Sequence, residues 1–551
     1  MKKIIEKTLR EILGDSVDFT VEYPASFEHG DYSTNAALIN ARNENTSPRE
    51  YAEKLVSQLN DHNSLMQHID KIEVAGPGFI NFWINQKGIM YQLNTSEKNI
   101  EIPQTIMLEF AHPNTHKAFH IGHLLNIITG QALSNLWEEV GHTVHRVNYQ
   151  GDVGMHIAKA LYGLMHMDYT DPKESNARAE LLAKAYVSGN KAFEEDAEAK
   201  NEIIQINKSI YKKDNPEIID LYTTTRGWSL EYFDTVYARV GTIFDRLYFE
   251  SEVFELGIEK VEEALQKGIL EKSDGAIVYK GEKDGLHTRV FLTNEGNPTY
   301  EGKELGLAEF QLNEYHPDKI VHLVGKEQKG YFEVAFKVIE QLYPELVGKE
   351  FHQVYGWVSL KGGKMSSRKG NVVLGMWLLD EVKQRIHNEY SDLSEEQAEL
   401  ITQAAVKYAF LKTSLTQDVA FDIDESISLN GNSGPYLQYT VVRAVSVLQK
   451  VGGEVDTGVL EQNPKLSEKD IRLMRLLSRF NEIIIDAAKT YSPSTLATYL
   501  YDLASEFNGL YNSEKIIGDE NQEVRLAITK ICSERLEKGL KLLGIQVPDK
   551  M

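Results

Sequence analysis

The stretch Glu109-Phe-Ala-His-Pro-Asn-Thr-His-Lys-Ala-Phe-His-Ile-Gly-His123 decides how the rest of this chain is read. Ahead of it, residues 105–110 are β-branched and apolar, the pattern of a short buried strand. Behind it, Leu124, Ile127, Ile128, Leu133 and Leu136 recur at helical spacing as far as Gly141, which suits a C-cap. The segment therefore predicts strand, loop and helix, with His120, Gly122 and His123 in the first helical turn. A helix N-terminus offers unpaired N–H groups and partial positive charge, both of which suit phosphate. Gly122 lets a flat ring lie against its backbone. The two imidazoles, three apart, share a face and can donate hydrogen bonds to a phosphate chain. Taken alone, the tetrapeptide also fits an ordinary helix start, and His116, His120 and His123 together also fit a metal cluster.

Some 240 residues later stands Lys364-Met-Ser-Ser-Arg-Lys-Gly370, after Gly362-Gly363. A doubly basic loop of this kind can close over a polyphosphate and neutralise charge on a departing pyrophosphate, although by itself it also fits a solvated turn. In this order, the two segments resemble the HIGH and KMSKS signatures of class I aminoacyl-tRNA synthetases. The resemblance implies an α/β catalytic domain with a Rossmann-like, doubly wound parallel sheet. It also implies ATP bound by His120, Gly122, His123, Lys364, Ser366 and Ser367, with Mg²⁺ accompanying the nucleotide and no structural metal. The phosphate-binding P-loop is missing, since every Gly-Lys pair is followed by Glu or Met.

A length of 551 residues suggests about three domains, and 42% hydrophobic with 26% charged residues is a globular composition. No apolar run of about 18 residues exists, so no transmembrane helix and no membrane partner is expected. Residues 1–7 alternate charge with apolar residues like a folded amphipathic helix, unlike a signal peptide. The single cysteine, Cys532, permits no internal disulfide, which suits a reducing, cytoplasmic setting. A net charge of −23 argues against indiscriminate nucleic-acid binding and against DNA as a partner. The charge is uneven: residues 426–551 carry 15 Lys/Arg and 16 Asp/Glu, leaving almost all the negative charge upstream. A locally neutral C-terminal region can still present a basic face to RNA.

Residues 1–95 read as a small α/β domain. Ile4, Ile5, Leu9, Ile12 and Leu13 keep helical periodicity up to Gly14, residues 18–23 suit a strand, and residues 51–59 are helical again. Val74-Ala-Gly-Pro-Gly-Phe-Ile-Asn-Phe-Trp-Ile84 closes the domain with a turn and an alternating strand. Phe79 and Asn81 fall on one strand face, an aromatic beside an amide, as in proteins that stack on and read an unpaired base. The same pattern also suits a core aromatic beside a solvated amide. Gly30-Asp-Tyr-Ser-Thr-Asn-Ala-Ala37 and Gly76-Pro-Gly-Phe-Ile-Asn-Phe82 resemble the N-terminal domain peculiar to arginyl-tRNA synthetases. That resemblance implies that Phe79 and Asn81 contact the tRNA elbow. It extends through Asn430-Gly-Asn-Ser-Gly-Pro-Tyr-Leu-Gln-Tyr439 to Leu542-Leu-Gly-Ile-Gln-Val-Pro-Asp-Lys-Met551 and covers essentially the whole chain.

The catalytic domain is expected over residues 96–375, with a helical insertion around 168–250 and an amphipathic helix over 228–240. Asp152, at a predicted strand end, is positioned to bind a ligand hydroxyl. A guanidinium substrate demands carboxylates placed for bidentate hydrogen bonds. Glu109 ends a strand where an apolar residue is expected, and Glu304 follows Tyr300 at helical spacing. The arginyl family places Tyr and Asp at this spacing to bind the substrate side chain; this chain carries the longer Glu304. Asn114 and Gln328 match family positions that hold the α-amino and carboxylate ends of arginine or orient the carboxylates. The family resemblance implies ATP-dependent attachment of L-arginine to the 3′ end of tRNA(Arg) through an arginyl-adenylate. His120, His123 and Lys364 would act on the phosphates. Ser367 replaces the usual lysine of the KMSKS segment, so Lys117 or Arg368 is expected to supply the missing charge.

Residues 376–551 read as an all-α helical bundle, with stripes over 398–412, 439–451, 471–489 and 524–543. The resemblance makes it the anticodon-binding domain, with Tyr436 and Met551 as contacts to exposed bases. The partners expected are tRNA(Arg), L-arginine and ATP, and the enzyme is expected to be a monomer. A class I synthetase for another amino acid, a histidine-based metal hydrolase and an inactive tRNA-binding relative are the alternatives the sequence leaves.

Overall fold

The computed structural model describes residues 1–95, 102–361, 373–462 and 464–551. The chain packs as two units. One comprises residues 1–98, 439–486 and 498–539; the other comprises residues 99–438, 487–497 and 540–551.

In the first unit, an antiparallel sheet holds β1 (Val21–Glu22), β2 (Tyr32–Thr34), β3 (Ile69–Ala75) and β4 (Phe79–Ile84) in the order β1-β2-β4-β3. The predicted strand at 18–23 shrinks to the two residues that pair with Ser33 and Thr34. The C-terminal helices of this unit bond directly to the sheet. Asp31, buried, accepts from Arg475 Nε at 2.5 Å and from the Ile84 amide, while Glu482 accepts from the hydroxyls of Tyr23 and Tyr32 at 2.8 Å. Removing one partner of such a buried pair typically costs about 3–5 kcal/mol, so these contacts fix the helices against the sheet. The helix expected over 471–489 is two helices, Glu468–Ser478 and Phe480–Lys489, separated at Arg479, whose guanidinium reaches the Asp31 carbonyl.

The second unit is built on five parallel strands: β5 (Thr105–Glu109), β6 (Thr143–Gln150), β7 (Arg246–Phe249), then β11 (Lys319–Gly325) and β12 (Glu350–Tyr355), after a small antiparallel sheet of β8 (Glu271–Ser273), β9 (Ala276–Tyr279) and β10 (Arg289–Leu292). The order β12-β11-β5-β6-β7 puts β5 at the centre, and the chain leaves it in opposite directions on its two sides. Ligands of doubly wound sheets bind at such a switch point, beyond the carboxyl ends of the strands. The strands read as apolar runs because helices cover both faces: Met107, Leu108, Val147, Ile320 and Leu323 are completely buried. The helical insertion has a buried core. Ile203, Ile206, Ile210 and Ile218 close a core with Val153, Ile157 and Leu161. The helix expected at 228–240 starts twelve residues earlier, as Pro216–Val240, because Asn215 caps it and Pro216 suits its first position. Beyond residue 395 the chain is not helical throughout: β14 (Val419–Phe421) pairs in parallel with β13 (Val358–Leu360), a partner some 60 residues away that local periodicity cannot reveal.

Candidate active site

A cleft of about 990 Å³ opens at the carboxyl ends of β5, β11 and β12. Ala111, His112 and Asn114 line it from the loop after β5, and Gly325, Glu327 and Gln328 from the turn after β11. His120, Gly122 and His123 line it from the helix Ile121–Val140, and Tyr355, Gly356 and Trp357 from the end of β12. The loop after β5 carries three non-glycine residues at positive φ: Ala111 (82°), His112 (48°) and His116 (61°). Such conformations cost about 1–3 kcal/mol each and persist only where neighbours over-determine them. Here the amide of Ala111 is held by Asn126 at 2.6 Å, that of His112 by Asn148 and that of His116 by Ser229.

The helix N-terminus is occupied, which corrects the expectation of unpaired N–H groups facing phosphate. Ile121 N donates to the Val373 carbonyl at 2.9 Å, Gly122 N and His123 N donate to His120 Nδ1 at 3.1 and 3.4 Å, and Leu124 N donates to the His120 carbonyl. In return, His120 N donates to His123 Nδ1 at 3.2 Å, completing a reciprocal cap. A Cβ at Gly122 would stand 2.9 Å from the His120 ring, so the cap itself requires glycine there. An Nδ1 that accepts a hydrogen bond carries no proton, so each neutral imidazole keeps its proton on Nε2. The rings stack 3.8 Å apart. Burial lowers the pKa of both, and the neighbouring imidazoles His120 and His112 together with Lys117 make a positive charge on His123 less favourable still. The pair is therefore two neutral Nε2–H donors rather than two cations.

His116 belongs elsewhere. Its ring nitrogens meet the hydroxyls of Thr115 at 3.1 Å and Thr225 at 2.7 Å, and burial brings its pKa down to about 3. It fixes the loop against the helix Pro216–Val240 and does not join a metal cluster; among the described residues, no group of three or more His, Cys, Asp or Glu side chains is gathered to hold an ion. Asp152 likewise has a different task from the one expected. It is completely buried and accepts from Arg226 Nε at 2.7 Å, from the Ser251 amide and from the Ser251 hydroxyl. Both of its oxygens are engaged by protein donors. Lys117 does not line the cleft; its ammonium sits 5.6 Å from the Tyr186 ring, and burial lowers its pKa.

Both acids singled out in the sequence are buried, Glu109 1% exposed and Glu304 6%. Glu109 accepts from Gln311 Nε2 at 2.5 Å and meets His322 Nδ1 at 3.1 Å. Burial works to raise its pKa, but the charge and hydrogen bond of His322 outweigh burial and hold it low. Glu304 accepts from the Tyr331 hydroxyl at 2.8 Å, and burial together with the charge of Glu109 raises its pKa to about 8. Tyr300 and Glu304 stand one turn apart on the same helix (Tyr300–Tyr315), Tyr300 58% exposed and Glu304 buried. Asn114 and Gln328 both line the cleft; Gln328 Oε1 accepts from Gly325 N at 3.3 Å. Lys364, Ser366, Ser367 and Arg368 lie outside the described residues. In the first unit, Phe79 presents its ring 41% exposed, while Asn81 is buried and its side-chain oxygen accepts from the Ser33 hydroxyl at 2.7 Å. Tyr436 and Met551 are half-buried.

Three contributors escaped the reading from sequence: His322, Gln311 and Tyr331. The first has a signal, a histidine inside the apolar run Lys319-Ile-Val-His-Leu-Val-Gly325, of the same kind as Glu109 at the end of its apolar strand. The other two look like ordinary helix residues until the fold turns them toward the acids.

Sheet, switch-point cleft and capped histidine pair are those of a class I tRNA synthetase, and residues 86–423 match the family of class I (R) tRNA synthetase catalytic domains. Residues 1–84 match the arginyl tRNA synthetase N-terminal domain and residues 437–551 the DALR anticodon-binding domain. The arginine–tRNA ligase of Bacteroides fragilis is 32% identical over 84% of this chain and 82% of its own length; that of Halothermothrix orenii is 30% identical over 100% and 98%. The solved arginyl-tRNA synthetase of Thermus thermophilus superposes with a TM-score of 0.82 at 23% identity, covering 100% of both chains. The chain belongs to the arginyl-tRNA synthetase family, and its function is to charge tRNA(Arg) with arginine at the expense of ATP.

Proposed function

We propose that arginine binds with its guanidinium on Glu109 and Glu304 and its α-amino and carboxylate ends near Asn114 and Gln328, with Tyr300 closing over the side chain. Its carboxylate attacks the α-phosphorus of ATP to give arginyl-adenylate and pyrophosphate, and the terminal ribose hydroxyl of tRNA then attacks the adenylate carbonyl. The observation that carries this reading is the reciprocal cap of His120 and His123, which leaves two Nε2–H donors at a cleft on the switch point. Neutral donors placed where charge develops stabilise phosphate oxygens without first being stripped of water as cations would be. Lys364, Ser366, Ser367 and Arg368 receive the leaving pyrophosphate, and Lys117 adds positive charge from the loop side. Mg²⁺ enters with ATP as part of that substrate; the cleft offers oxygen donors of the type it takes in Glu327, Asp422 and Asp424.

Residues 1–95 serve the tRNA elbow through Phe79 and Asn81, residues 96–375 carry out the chemistry, and residues 376–551 read the anticodon with Tyr436 and Met551. Support for the first assignment is the exposed Phe79 ring, which is free to stack on a base. The enzyme acts as a monomer in the cytoplasm. No helix among the described residues is long and apolar enough to cross a membrane. The test is ATP–pyrophosphate exchange driven by arginine, with and without tRNA(Arg). Exchange with arginine and not with other amino acids is expected, and exchange supported equally by a neutral amino acid would overturn the pocket assignment.

A further inference from the structure

β5, β11 and β12 lie side by side, and each contributes a buried ionisable group to one slanting line across the sheet, Glu350 standing two residues before His352, the register partner of His322. Glu109 on β5 is the direct register partner of His322 on β11. Glu350 stands on β12, its carboxylate 3.7 Å from His322 Nε2 on the far side of the ring from Glu109. His322 is 1% exposed, and the rings of Phe332 and Phe336 pack 5.1 and 5.2 Å from it, so it is shielded from bulk solvent. We propose that His322 is a positioning residue of the amino-acid pocket, an imidazole wedged between Glu109 and Glu350 that fixes Glu109 in place and sets the charge offered to an incoming guanidinium. This rests on the arginine pocket proposed above.

Three carboxylates in one dry region cannot all ionise unaided, because like charges at short range in low dielectric repel strongly. Burial works against charge on His322, but Glu109 by charge and hydrogen bond, then Glu350, push its pKa up to about 10. Its positive charge allows Glu109 to remain ionised. The other groups facing this line are few. From the helix Tyr300–Tyr315 come Glu304 and Gln311, and from the loop after β5 comes His112, kept uncharged by burial. From β12 comes His352, lowered by burial, and Glu340 acts on Glu350 from the helix Lys329–Leu342. None of these supplies a cation when His322 is replaced, so a carboxylate must take up a proton instead, and the guanidinium must displace it.

The test measures arginine affinity of the full-length enzyme by calorimetry between pH 6 and 8.5, alongside steady-state kinetics. His322→Gln is expected to move the midpoint of the arginine affinity profile up by about one pH unit, weakening binding roughly fivefold or more at pH 7.5. Maximal rate at saturating arginine and the KM for ATP stay within threefold. Glu350→Gln, which removes a like charge, leaves the midpoint in place or moves it down. An unchanged midpoint in His322→Gln, or an equal upward move in both variants, overturns the proposal, since a loss of packing alone does not distinguish the sign of charge removed. Should His322→Gln fail to fold, imidazole NMR of the wild-type enzyme decides. A buried imidazolium that stays protonated to pH 8.5 and shifts on adding arginine is expected, and its absence overturns the assignment. If the wild type itself binds no arginine at any pH, the pocket falls; if it binds and His322→Gln behaves identically, only His322 does.

Discussion

Arginine binding should release a proton from Glu304. Without ligand this carboxyl is buried, hydrogen-bonded to Tyr331, and raised to about 8 first by burial and then by the charge of Glu109. At neutral pH it is therefore mostly protonated, and a guanidinium bound bidentately needs it ionised. Below pH 8 the affinity for arginine should fall about tenfold for each pH unit, so that binding at pH 6 is roughly 100-fold weaker than at pH 8.5. His322, at about 10, keeps its charge across this window, so the slope belongs to Glu304. Calorimetry in two buffers of different ionisation enthalpy should report close to one proton released at pH 6.5, declining toward zero above pH 8. The same group affects stability with a definite sign. Its folded pKa lies above the ordinary 4.5, so its contribution is full below pH 4.5 and lost as pH rises to 8. The ligand-free enzyme should lose stability over that interval, and saturating arginine should restore it near pH 8. Glu304→Gln should flatten both profiles. An arginine affinity that is constant from pH 6 to 8, with no proton released, would refute the reasoning.

Lys117→Ala should slow single-turnover adenylate formation roughly tenfold or more if its charge reaches the phosphates, and a rate within twofold of wild type removes it from the chemistry. Asp152→Asn removes the charge of buried Asp152 that the partly exposed Arg226 and Ser251 bond to, and should cost about 1.5–3 kcal/mol in urea unfolding. Because Asp152 serves structure, the KM for arginine of the folded variant should stay near wild type. Gly122→Ala should push the His120 ring off its cap, costing about 1 kcal/mol of stability. It should cost about 10²-fold in adenylate formation, because Nε2–H loses its aim; a near-normal rate would show that the cap does not matter.

The residues around Glu109–His123 disclosed strand, loop and helix without help, because periodicity, β-branching and a closing glycine are properties of sequence neighbours. The match of the two nucleotide segments and of the N- and C-terminal stretches to one family is likewise written in the chain. Packing decided what those residues do. Glu109 receives its partners from Gln311 and His322, about 200 residues away, and Glu304 is raised because the fold buries it beside another acid. Asp152 is engaged by Arg226 and Ser251, and the Asn81 side-chain oxygen accepts from Ser33. β14 exists only because β13 lies beside it, and the C-terminal helices join the N-terminal sheet through Asp31 and Glu482. Protonation state and hydrogen-bond partner depend on solvent exclusion and on groups converging from distant segments, which a one-dimensional pattern does not encode.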